Sequence, residues 1–319
     1  MRERWTRTAA VLKVDIDEAQ SLVAPALGAV RVLRVEPLGG GHSNTNLRLD
    51  LDGRPNSVVL RLYQRDPTQA RKEAAISALV APTVPVPRYL HTGRRVSNGQ
   101  LYSIVEWVEG EPLAVSARHA NEIELAAMGR SIGAALSAIH AYTFAQAGLL
   151  DGDLNVTPFP GGSSLATYLE LSFRGIARER AGSELADAAI AFARRNEGRQ
   201  EAWNHPARLI HFDFGATNIL MRDDAGVAGI VDWEFAASAS PAADFGNLLR
   251  PPLGGCAVFV RGVERGYRDA GGFLPDDWLE LTQLADIAAW SEFLTRPNVS
   301  AEVIQDAVKV LREITSHPS

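Results

Sequence analysis

The chain predicts an α+β protein of two lobes, an antiparallel sheet lobe over residues 1–110 and a mostly helical lobe over residues 111–319. Three observations predict it. In the first third, short β-branched and apolar segments are joined by turn-forming glycines. Through most of the rest, apolar residues recur at helical spacing. At 319 residues the chain is also longer than one core of ordinary size holds.

Each element has its own signal. Residues 15–27 read as a short amphipathic helix ending near Gly28. Residues 30–37, 45–51 and 57–63 read as strands, joined by Gly39-Gly40-Gly41 and by Asp52-Gly53. Asp66-Pro67 opens a helix that continues to Pro82, with Pro67 suited to its first turn. Pro82, Pro85 and Pro87 then enforce an extended run toward Tyr89 and Leu90, and residues 101–106 form a further strand leading into a connector around Trp107 to Pro112. Residues 121–140 carry Ile123, Ala127, Ile132, Leu136 and Ile139 at helical spacing, and Gly129 and Gly133 allow another helix to approach closely. Residues 165–195 read as one or two helices, and residues 242–249, 258–269, 277–294 and 301–314 supply more, with Pro297 separating the last two.

Composition narrows the classes. Apolar residues make up 46% and charged residues 22%, an ordinary soluble balance. The net charge of −6 disfavours a general nucleic-acid surface and suits a cationic ligand. Cys256 stands alone, which excludes an internal disulfide and a cysteine-rich metal site, and the seven histidines show no zinc spacing. No segment has the apolar core of a signal peptide or the roughly 18 apolar residues of a membrane span. A cytoplasmic protein, monomer or homodimer, without nucleic-acid or membrane partners is expected.

Chemistry concentrates in His211-Phe212-Asp213-Phe214-Gly215-Ala216-Thr217-Asn218 and in Asp232 at the end of the apolar run 227–231. The pattern reads as loop, strand, turn and strand. It can bring one base, Asp213, and two oxygen ligands, Asn218 and Asp232, around a phosphate, with Phe212 and Phe214 anchoring the loop from below. Magnesium prefers hard oxygen ligands and is often held by one or two protein groups plus phosphates. The bland alternative is that these Asp and Asn residues only cap turns. Upstream, Gly40 and Gly41 let a hairpin approach a phosphate while Ser43 and Asn44 donate to it. The absence of a GxxxxGK[ST] pattern excludes a P-loop. Arg61 is a lone cation in the apolar run 58–63, where a charge needs a partner or a ligand. Glu73 on the next helix is its natural partner, although a solvated edge arginine beside a surface glutamate is the simpler alternative. Only Lys13, Lys72 and Lys309 are lysines. Backbone groups of the connector at Glu106 and Val108 can meet a purine edge.

The order of glycine hairpin, VLR strand, RKE helix, VEW-VEG connector, HFDFGATNIL and GIVDWE resembles the aminoglycoside phosphotransferase and choline kinase-like superfamily, the phosphotransferase enzyme family, over residues 33 to 249. The resemblance implies a protein kinase-like fold, ATP (with GTP open) and Mg2+. It implies Asp213 as catalytic base, Asn218 and Asp232 as metal ligands, Arg61 at the position of the ATP lysine and Glu73 as its ion-pair partner. It also implies Asp244 as a brace of the catalytic loop, with His211 in support; a first-turn carboxylate is the alternative for Asp244. This chain departs from the pattern in three places: Arg61 replaces lysine, Phe212 stands where many relatives carry glycine, and Trp233-Glu234 follow the metal aspartate.

The reaction expected is transfer of the terminal phosphoryl group of a nucleoside triphosphate to a small-molecule hydroxyl. An aminoglycoside or other antibiotic leads as acceptor, with homoserine, choline or a sugar as the alternative, and the role is open between antibiotic resistance and metabolism. Glu234, Asp286 and Glu292, with Glu170 and Asp276, are the carboxylates considered for a cationic acceptor. A metal hydrolase built on His211, Asp213 and Asp232, and a noncatalytic nucleotide-binding protein, are the competing classes.

Overall fold

Helix α1 (Ile16–Leu27) begins where the Asp15 carboxylate accepts the Glu18 N–H, and ends at Gly28, whose φ of 69° suits a residue without a side chain. The computed structural model describes residues 10–39, 44–66, 68–162 and 164–316. Gly40, Gly41, Ser43 and Pro67, named above, lie outside the described residues, as do residues 1–9. Next come β1 (Val32–Pro37), β2 (Thr45–Leu51), β3 (Ser57–Leu62), α2 (Gln69–Val80), β4 (Tyr89–Arg94) and β5 (Leu101–Glu106). The five strands form one antiparallel sheet in the order β1-β2-β3-β5-β4.

The alternation in β2 decides which side of this sheet does what. Leu47, Leu49 and Leu51 turn to one face, where they meet Val58, Leu60, Leu62 and Ile104 in a small core closed by Ala19, Leu22 and Val23 of α1. The register pairs Asn46 with Arg61 and Arg61 with Ser103, so these polar residues share the opposite face. Helix α2 lies on that side: Glu73 reaches Arg61, while Ile76 and Val80 join a second, larger apolar cluster made mainly by the rest of the chain.

The second half adds β6 (Glu111–Pro112), α3 (Leu113–His119), α4 (Glu122–His140), β7 (Thr143–Phe144), β8 (Gly148–Leu150), β9 (Val156–Thr157), α5 (Leu165–Ser172), α6 (Ile176–Ala181), α7 (Ser183–Arg195) and α8 (Glu197–Asn204). It continues with β10 (Ala207–Ile210), β11 (Ile219–Met221), β12 (Val227–Ile230), β13 (Ala237–Ala239), α9 (Ala242–Leu248), α10 (Ala257–Asp269), α11 (Trp278–Thr295) and α12 (Ala301–Ser316). Two small sheets, β7-β10-β13-β8-β9 and β12-β11-β6, stand among these helices. The span 165–195 holds three helices instead of one or two, because Gly175 and Gly182 take φ of 60° and 81° and break it twice.

Helix α4 is the pillar of this half. Asn121 accepts the Ile123 and Glu124 N–H groups while Glu124 accepts the Asn121 N–H, a reciprocal cap. Gly129 and Gly133 let α10 lie directly against it: a Cβ on Gly133 would stand 2.1 Å from the Val263 carbonyl oxygen. Among the described residues, no helix is long and apolar enough to cross a membrane.

Candidate active site

Strand β10 delivers the loop 211–218, and the antiparallel hairpin β11–β12 returns the chain to Asp232. Asp244, fully buried on α9, accepts the backbone N–H of His211 and of Phe212, each at 2.8 Å, and lies 3.2 Å from His140 Nε2. His211 accepts the Asp213 N–H at Nδ1 (3.3 Å), so its proton sits on Nε2 and is donated to the Val231 carbonyl at 2.9 Å. The imidazole thus ties the base loop to the chain just before Asp232. Phe214 is fully buried, edge-on to His211. Phe212 does not anchor the loop from below as the sequence suggested. It is half-buried, with φ of 64°, a conformation that costs a side-chain-bearing residue roughly 1–2 kcal/mol.

Asn218 Nδ2 donates to the Asp213 carbonyl (2.9 Å) and carboxylate (3.1 Å). Two acceptors on one side fix the amide orientation and leave Oδ1 as the oxygen it can offer a cation. Asp232, at φ 69° and ψ 58°, is one-quarter exposed, and its carboxylate receives Arg61 Nη2 at 2.6 Å. The same nitrogen donates to Glu73 at 2.6 Å and stands 3.6 Å from Glu234. Arg61 is therefore a buried cation shared among three carboxylates; burial works against its charge, and Glu73 and Asp232 outweigh that and keep it protonated. Its Nε is buried without a partner among the described residues. Glu73 is fully buried, and its second oxygen accepts the hydroxyls of Tyr63 and Tyr89, each at 2.8 Å. Burial raises its pKa, with Arg61 and the two phenols opposing. Lys72, beside Glu73, points instead to the Ala236 carbonyl at 3.4 Å.

Glu234 lies elsewhere than a cation-binding acceptor pocket requires. The single helical turn Trp233–Phe235 folds it back onto this cluster, where it accepts Asn44 Nδ2 at 2.8 Å. Burial, then the neighbouring Asp232, pushes its carboxyl up to about 8. Oxygens of Glu73, Asp232 and Glu234 lie within 4.8 Å of one another, a donor set of the hard kind that magnesium takes. Asn44 also accepts the Gln64 N–H, so the end of the glycine hairpin is fastened both to β3's extension and to the Asp232 side of the cleft. These bonds across the cleft were beyond sequence reasoning, since Asn44 and Glu234 are 190 positions apart.

The connector is partly committed. The Glu106 N–H is donated to the Arg88 carbonyl and its carboxylate pairs with Arg88, which leaves no Glu106 donor for a base. The Val108 side chain lies over Gly229 of β12, where a Cβ would meet it at 2.9 Å. Asp286 is not open to a cationic ligand either, because Arg250 and Trp290 Nε1 hold its buried carboxylate, whereas Glu292 is part-exposed and pairs with Arg296 four residues on. Glu170 pairs with Arg194, and Asp276 is exposed.

The model of the Phosphotransferase enzyme family matches residues 34–284, most of the chain. The chain belongs to this family. No curated protein matches it in sequence. Solved structures resemble this family member closely in fold at low identity. A thermostable mutant of aminoglycoside phosphotransferase APH(4)-Ia, in ternary complex with AMP-PNP and hygromycin B, superimposes with a TM-score of 0.67 at 19% identity, covering 93% of this chain and 98% of that one. The GDP and kanamycin complex of an APH(2'') enzyme gives 0.70 at 18% identity over 93% and 98%. The GDP complex of wild-type aminoglycoside 2'-phosphotransferase-IIIa gives 0.69 at 17% over 95% and 99%. The α+β, kinase-like fold of this phosphotransferase family member is thereby shown.

Proposed function

We propose that the protein is a kinase that moves the terminal phosphoryl group of ATP or GTP to a hydroxyl of a small molecule, with the lobes dividing near residue 110. The observation that carries this reading is that Asp213, oriented by Asn218, and Asp232, gripped by the Arg61–Glu73 pair, lie on segments tied together by the Val231 N–H donated to the Asn218 carbonyl. Phosphoryl transfer asks chiefly for in-line positioning and charge neutralisation. Asp213 orients the acceptor hydroxyl and takes its proton. His211 and Asp244 hold the loop that carries Asp213, so the carboxylate is aimed before substrate arrives. Arg61 fixes the near end of the phosphates. Asp232, with the oxygens of Glu73 and Glu234 clustered beside it, and Asn218 Oδ1 would hold Mg2+, which when bound would neutralise phosphate oxygens.

The hydrolase alternative loses its histidine: both His211 nitrogens are engaged, leaving no lone pair for a metal. Nucleotide complexes among the similar structures support a nucleotide site. Taken alone, that likeness favours an antibiotic, aminoglycosides included, as acceptor, with homoserine, choline and sugars alongside. A coupled nucleotide-consumption screen with ATP and GTP against these compounds tests the reading, with Asp213→Asn as control. The expected result is acceptor-dependent consumption that falls about a hundredfold in the variant. Retention of more than a tenth of the wild-type rate sinks the base assignment.

A further inference from the structure

Phe212 is the residue before Asp213, and its backbone is held at a φ of 64° that glycine adopts at no steric cost. Burial does not account for keeping phenylalanine there, because the ring is half-buried while Phe214, two residues on, fills the core beneath the loop. The ring of Phe212 instead meets Phe159 edge-on, with centroids 6.4 Å apart at 60°. Phe159 comes from the segment between β9 and α5 and is itself half-buried. Asp244 holds the Phe212 N–H and Asn247 Nδ2 lies 3.5 Å from its carbonyl oxygen, so its backbone is pinned on both sides.

From this pair we infer an acceptor subsite with an aromatic wall, Phe212 and Phe159, beside the Asp213 carboxylate. It takes an alcohol whose hydroxyl is carried on an apolar or ring face, in preference to a polycationic aminosugar. The inference rests on the kinase reading of Asp213 and narrows its substrate. Charge supports the same choice. Of the carboxylates that a polycation would recruit, Asp286 is buried against Arg250 and Glu234 is turned to Arg61, while the part-exposed Glu170 and Glu292 pair with Arg194 and Arg296. A flat aromatic surface gains most from apolar area laid against it, through desolvation and offset or edge contacts. Two phenylalanines set edge-on do not make the cage of several aromatic faces that enclose an ammonium group.

Titrations in the presence of Mg2+ and AMP-PNP test this with three probes: phenyl β-glucoside, methyl β-glucoside and kanamycin. The wild-type protein is expected to bind the phenyl glucoside at least about tenfold more tightly than either of the others, a ratio on the scale of one aromatic contact. Phe212→Gly and Phe159→Ala should each cut the phenyl-over-methyl ratio to below about threefold, as loss of that contact requires. The melting temperature of Phe212→Gly should not fall, because glycine relieves the backbone. Kanamycin as the tightest probe, glycosides that bind equally or not at all, or a ratio that survives both substitutions overturns the wall. Failure of AMP-PNP itself to bind in a magnesium-dependent way is a separate outcome: it sinks the kinase reading, and the subsite with it.

Discussion

Arg61 is where this chain's chemistry is most its own. A lysine would present a point charge, whereas the guanidinium divides one nitrogen between Glu73 and Asp232 and keeps Nε in reserve. Arg61→Lys should therefore keep turnover with weaker nucleotide affinity, and Arg61→Ala should lose far more, since it leaves Glu73 buried without its cation. Glu73→Gln should resemble the milder variant. Nucleotide titration and turnover on the three variants check this, and an Arg61→Ala protein equal to wild type in both would make the arginine a bystander. Glu234 predicts a pH effect in chelator-treated protein. Its folded-state carboxyl stands at about 8 against an ordinary 4.5, so the folded state holds a proton that the unfolded state has lost between those values. That stability is complete below 4.5 and disappears as pH rises through about 8. Measured by thermal denaturation, Glu234→Gln should gain on wild type steadily across this window; a constant difference between the two would show that Glu234 does not titrate there. Arg61 with Glu73, and Asp213 with Asn218, were legible in the sequence because a lone charge in an apolar strand needs a partner and an acid–amide spacing around a hairpin has few geometries. The turn that folds Glu234 onto Arg61, and the left-handed backbone that swings Phe212 outward, were not legible. Both depend on single φ values that residue type disfavours.

At the scale of elements, glycine and cap signals carried most of the weight. Gly129 and Gly133 in α4 face the backbone of α10 at Phe259 and Val263, and Gly262 and Gly266 in α10 face that of α4 at Ala126 and Arg130, a Cβ on Gly266 standing 2.0 Å from the Arg130 carbonyl oxygen. Because backbone faces each of these glycines, no side-chain adjustment makes room. Gly133→Ala is expected to destabilise the protein by at least the ~1–3 kcal/mol of ordinary overpacking, read from chemical denaturation. An unchanged midpoint would mean that the helices separate at no cost. The first three strands, β5 and the long helices were readable from period and turn residues. Strand β4 was read only as an extended run. Strands β11 and β12 were read as the strand–turn–strand that follows Asp213, but β6 to β10 and β13, each two to four residues long, were not readable, because a period of two needs more residues than that to show.

The small sheet core meets the larger helical one through α2, whose Ile76 and Val80 pack into the larger cluster, and through polar bonds that include Arg61 to Asp232, Asn44 to Glu234 and Lys72 to the Ala236 carbonyl. Those bonds converge on the segment after β12, so the two halves meet where the proposed metal ligand sits. Family membership was legible because HFDFGATNIL and VDWE each compress loop, strand and ligand into a few positions. The acceptor was not, since the subsite proposed for it draws on residues as far apart as Phe159 and Phe212, and of the carboxylates suggested for it Asp286 is buried against Arg250. The most direct test of the central claim needs no acceptor: calorimetric titration of ATP into the wild-type protein and Asp232→Ala, with and without Mg2+. Tight binding that requires Mg2+ in the wild type and is lost in a folded Asp232→Ala protein is the predicted result. Equal, magnesium-independent binding in both would contradict it.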